Sequence, residues 1–183
     1  MSLLPVLREE KEEAHDYIIT GAHGSFITVT DGRYKLILAP NAENWPLYSY
    51  TLMPTHMRSM FAPGEFEGME LSEPFEFTKG VKLLKIPDRF YLAGNIPLCM
   101  REPMGVPKGV LPHQKWNPKW TTKLFDLAND PTEQTPIEDA EVTARLRLAM
   151  TKLMIENDAP IEQYVRMQLE AEYETLTGKK VEL

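Results

Sequence analysis

The chain has 183 residues, 43% of them hydrophobic, which is enough for one domain with a sizeable core. A net charge of −7 argues against a nucleic-acid partner, because phosphate binding needs a basic surface. A single cysteine excludes an internal disulfide framework, and no uncharged apolar run is long enough to predict a membrane span.

Residues 1–14 place Leu3, Leu4 and Leu7 before Glu9, Glu10, Glu12 and Glu13, the pattern of a short helix or turn with a solvated acidic face. No basic region precedes the leucines, so a signal peptide is not expected; localisation stays open. Tyr17-Ile18-Ile19-Thr20 reads as the first strand. Gly21 and Gly24 bracket Ala22-His23 and predict a bend. The sequence from His23 to Leu38 then reads as a β-hairpin. Asp31-Gly32 is a strong turn signal, since a type I′ turn needs positive φ at both central residues. That turn pairs Thr30 with Arg33, Val29 with Tyr34, Thr28 with Lys35 and Ile27 with Leu36. Ile27, Val29, Tyr34 and Leu36 share one face and the polar residues the other, giving a sheet with one wet face.

Pro40 ends the hairpin, residues 41–46 form a loop, and Leu47–Leu52 alternates as another strand. Pro54–Phe61 predicts one or two helical turns. Residues 62–120 are rich in Pro and Gly, with short extended segments at Glu73–Phe77 and Val81–Ile86. They read as an irregular insertion packed over the sheet through Phe90, Tyr91, Trp116 and Trp120; a mobile lid or a partner surface is the other reading. Lys123–Leu127 returns as a strand to the hairpin sheet, and Asn129-Asp130-Pro131 turns the chain. Thr135, Pro136 and Glu138 fit a capping box with Thr135 as N-cap. Val142, Leu146, Ala149, Met150, Leu153 and Met154 form a helical stripe, and Glu141 and Arg145 an i,i+4 ion pair. A second helix runs from about Pro160 to Thr177 and stops at Gly178. The predicted fold is a single α+β domain over 1–183. A small antiparallel sheet of about four strands packs against a C-terminal helix, with segments at 1–14 (junction), 15–61 (hairpin sheet), 62–120 (insertion) and 121–183 (returning strand and helices).

Two stretches carry a resemblance. Val29-Thr30-Asp31-Gly32-Arg33-Tyr34-Lys35-Leu36-Ile37 resembles the hairpin that opens the C-terminal domain of the sulfatase family, within the alkaline-phosphatase-like superfamily. Leu124-Phe125-Asp126-Leu127-Ala128-Asn129-Asp130-Pro131-Thr132-Glu133 resembles the segment with which sulfatases return to that sheet before a final helix. Ser2–Leu7 is similar to the phrase that closes their catalytic domain, so the chain is expected to begin at a domain junction; a frayed N-terminal helix is the alternative. The resemblance implies a domain that completes the substrate pocket of a catalytic domain held in cis and stabilises that domain, without catalysis of its own. It places the divalent metal, usually calcium, and the formylglycine nucleophile in the catalytic domain, so no cofactor is expected in this chain. Loss of that domain would bare an apolar docking face, making self-association an expectation. A stand-alone interaction module is the alternative reading.

The chemistry-bearing residues are sparse. Cys99 is followed by Met100-Arg101-Glu102-Pro103, which does not match the Cys-x-Pro-x-Arg motif; it reads as a packed hydrophobe or a thiol activated by Arg101. His15, His23, His56 and His113 lie far apart without ligand spacing. Asp126, Asp130 and Glu133 lack the calcium-loop pattern and read as turn and helix N-terminal residues. A small independent enzyme using Cys99, His23 or His113 has no motif to support it. His23 is the one candidate substrate-binding residue. By the resemblance it faces the pocket at the domain mouth; otherwise it is a histidine satisfied within a turn.

Overall fold

The structure, a computed structural model, describes residues 7–8, 10, 15–53, 55, 60–88 and 121–183. The first sheet is antiparallel and built from β1 (Ile18–Gly21), β2 (Ile27–Thr30), β3 (Tyr34–Leu38) and β7 (Lys123–Asp126), in the order β1-β2-β3-β7. A second antiparallel sheet joins β4 (Tyr48–Thr51), β6 (Leu84–Pro87) and β5 (Glu70–Leu71), in the order β4-β6-β5. Three helices follow: α1 (Ala140–Glu156), α2 (Ile161–Arg166) and α3 (Glu170–Thr177). The fold is α+β, with the helical end of the chain packed on the first sheet.

The core lies on the helix side of that sheet. Val29, Leu36, Leu38 and Leu124 meet Leu146, Met150 and Met154 of α1, with Tyr164, Met167 and Leu169 closing the end. Each fully buried aliphatic side chain contributes roughly 1.5–3 kcal/mol of burial, so this cluster holds the sheet and helices as one body. Val142, Leu146, Met150 and Met154 recur every four residues, which places them on one helix face toward the sheet. The opposite sheet face is not uniformly wet: Thr28 and Phe125 are buried there, and Lys35, the register partner of Phe125, pairs with Glu133 at 2.7 Å.

The hairpin keeps its predicted faces but shifts by two residues. Thr30 pairs with Lys35, Val29 with Leu36, Thr28 with Ile37 and Ile27 with Leu38. The central turn residues are Gly32 and Arg33, not Asp31 and Gly32. Asp31 instead uses its carboxylate, whose Oδ1 accepts from Arg33 N at 3.0 Å and Tyr34 N at 2.6 Å. Only Gly32, at φ 89°, takes the positive φ, the pattern of a turn with glycine first. An even shift preserves side-chain direction, which is why the buried face survives.

Other corrections follow from local chemistry. The N-cap of α1 is Asp139, whose Oδ1 accepts from Val142 N at 2.9 Å. Thr135 is not the cap, because Ile137 is still held in an antiparallel bridge to β7, where its N–H donates to Leu124 O at 2.8 Å. Arg145 pairs with Asp31 rather than Glu141. The single helix predicted after Pro160 is two, broken where Gln168 adopts φ 56°. Gly178 stops the last one at φ 70°, as expected. Leu47–Leu52 does yield β4, but in the second sheet. Glu73–Phe77 does not form a strand; Glu76–Thr78 is a 3-10 turn, with Phe77 stacked on Phe75. Residues 62–88 thus contribute two strands of a sheet rather than an irregular insertion. Within Pro54–Phe61, Thr55 and Met60 form an isolated antiparallel bridge, while residues 54 and 56–59 lie outside the described residues. So do Phe90, Tyr91, Cys99, His113, Trp116 and Trp120, and most of residues 1–14.

Candidate functional site

His23 sits in the bend between β1 and β2, where Ser25 N donates to Ala22 O at 3.0 Å and Gly24 takes φ 69°. Its imidazole reaches across to the second sheet: Nε2 lies 2.7 Å from Asp88 Oδ2. Asp88 directly follows β6, is nearly buried, and is fixed by its own N–H donating to Leu47 O at 2.9 Å. Ser49 of β4 donates its hydroxyl to the same Oδ2 at 2.8 Å. Serine, histidine and aspartate therefore meet, but in an order that does not build a nucleophile. Activation needs the serine hydroxyl on the imidazole and the carboxylate behind it. Here the carboxylate takes both donors, so Asp88 is a hub that positions His23 and holds β4.

A second cluster lies behind this bend. Arg166, the last residue of α2, is buried at 3% exposure. Its Nε donates to Gln163 Oε1 at 2.8 Å, and its Nη1 to Ser25 O at 3.0 Å and Asn44 Oδ1 at 2.9 Å. Asn44, at φ 52°, also donates Nδ2 to Gly24 O at 2.8 Å. Burial pulls the Arg166 guanidinium down to about 10. The helix end is also anchored by Asn41 N, which donates to Arg166 O at 2.7 Å.

Tyr50 and Glu162 join the second sheet to α2. The Tyr50 hydroxyl donates to Glu162 Oε1, and Glu162 is 2% exposed. Burial, then the hydrogen bond to Glu162, pushes the phenol upward. Lys85 Nζ pairs with Glu70 at 2.8 Å and lies 4.4 Å from the Tyr48 ring centroid. Burial pulls the Lys85 ammonium down, but the Glu70 hydrogen bond and the field of Glu162 outweigh it and raise it.

The acidic group near the returning strand is occupied in structural bonds. Asp126 accepts from Arg33 at 3.3 Å, Asn129 at 2.9 Å and Ala128 N at 3.1 Å, and the Arg33 bond holds its carboxyl below the usual range. Asp130 Oδ2 accepts from Thr135 N at 2.7 Å. An open hollow of about 370 Å³ is lined by Asp126, Asn129, Asp130, Thr135 and Ile137. Among the described residues, no three His, Cys, Asp or Glu side chains converge as a metal site requires, and no helix is long and apolar enough to cross a membrane. His15 is exposed and separate from His23. Sequence reasoning singled out His23 but missed Asp88, Ser49, Asn44 and Arg166. Nothing in their spacing announces them, since they come from four segments brought together only by the fold.

Compared with known proteins, the chain matches no family model, no curated protein and no solved structure.

Proposed function

We propose that this chain is the C-terminal domain of a sulfatase-type ester hydrolase, completing the substrate pocket and stabilising a catalytic domain in cis. The observation that carries the reading is the pairing of the two resembling stretches. Leu36 of the hairpin lies opposite Leu124 of the returning segment, and Tyr34 opposite Asp126, with α1 then crossing the same face. The two resembling stretches, far apart in the sequence, thus lie on adjacent strands, which supports the reading. Exposed Leu52, Met53, Met60, Leu71 and Phe77 around the second sheet supply apolar area for a docking partner.

On this reading His23 contributes to substrate binding at the domain mouth, held by Asp88. The calcium and formylglycine belong to the catalytic domain, and no step is assigned to them in this chain. The test is an antibody raised against the chain and applied to lysate of the source organism. A product several hundred residues longer, with an upstream Cys-x-Pro-x-Arg motif and turnover of aryl sulfates, supports the reading. A product near 21.0 kDa overturns it. In the longer protein, His23→Ala is expected to weaken turnover of substrate without unfolding; unchanged kinetics remove His23 from the pocket.

A further inference from the structure

We draw no further inference here: the strongest candidate, the exposed apolar patch of Leu52, Met53, Leu71 and Phe77 at the end of the second sheet where β4 and β5 finish, carries nothing beyond the docking role already proposed, because nothing in the structure shows what covers it.

Discussion

Arg145 Nη2 donates to Asp31 Oδ2 at 2.7 Å, tying the hairpin turn to the second turn of α1, while Nη1 of the same guanidinium donates to the Tyr17 hydroxyl at 3.0 Å. One arginine thus gathers β1's approach, the β2–β3 turn and the helix that covers them. Asp31 is central to this because its other oxygen shapes the turn through Arg33 N and Tyr34 N.

Asp31 makes stability depend on acid pH. Burial raises its carboxyl, but the bonds from Tyr34 N, Arg145 and Arg33 N outweigh burial and hold it below its usual value. The unfolded chain therefore takes up the proton first, near pH 4. The stabilisation is fully present above about pH 4 and is lost as pH falls through the lower folded value. Asp31→Asn should cost on the order of 1 kcal/mol at pH 7, kept small by solvent screening. It should also flatten the fall in melting temperature below pH 4. An acid limb as steep as the parent's would show that other carboxylates govern it.

The start of α1 separates two caps. Asp139→Ala removes the acceptor for Val142 N and should cost about 1 kcal/mol in a denaturant titration. Thr135→Ala should stay within about 0.5 kcal/mol, since Thr135 enters the structure through its backbone N–H to Asp130. A larger loss for Thr135→Ala would restore the capping box there.

What the sequence made legible was local. Val29 and Leu36, or Leu146, Met150 and Met154, announce their shared faces by spacing alone, because period 2 and period 3.6 follow from backbone geometry. The return of Leu124 beside Leu36 was readable from the order of the elements. The misplaced turn, helix start and ion pair each turn on a competing hydrogen bond, local at Asp31 and long-range at Leu124 and Arg145. Asp31 preferred to accept two backbone N–H groups over occupying a central turn position, and Leu124 O captured Ile137 N, delaying the helix to Asp139. Arg145 found Asp31 instead of the weaker solvent-exposed partner four residues before it. His23 was visible as a residue in a bend, but Asp88, 65 residues away, was not, because no periodicity links them.

The core prediction compares two leucines two residues apart. Leu146 is fully buried between the sheet and α3's approach, and Leu148 is 38% exposed. Leu146→Ala should cost about 2–5 kcal/mol through lost transfer energy and the cavity left behind. Leu148→Ala should cost less than about 1 kcal/mol, as a partly exposed side chain away from the cluster. Urea midpoints at constant slope would give both values, and similar losses would mean α1 presents a different face to the sheet.

Tyr50→Phe tests the joint between the second sheet and α2. The substitution keeps the ring against Phe75, whose centroid lies 5.1 Å away, and removes only the donor to buried Glu162. Leaving that acceptor without its donor should cost about 1–2 kcal/mol, with the half-exposed phenol placing it at the lower end of the range. The pH dependence has a definite sign. The folded phenol is raised by burial and by Glu162, so the unfolded chain ionises first, near pH 10. The stabilisation is present below about pH 10 and is lost as pH rises toward the higher folded value. Melting temperatures between pH 8 and 11 should therefore fall less steeply in Tyr50→Phe than in the parent. Parallel curves would mean that the hydroxyl reaches water in solution and that Glu162 is satisfied elsewhere.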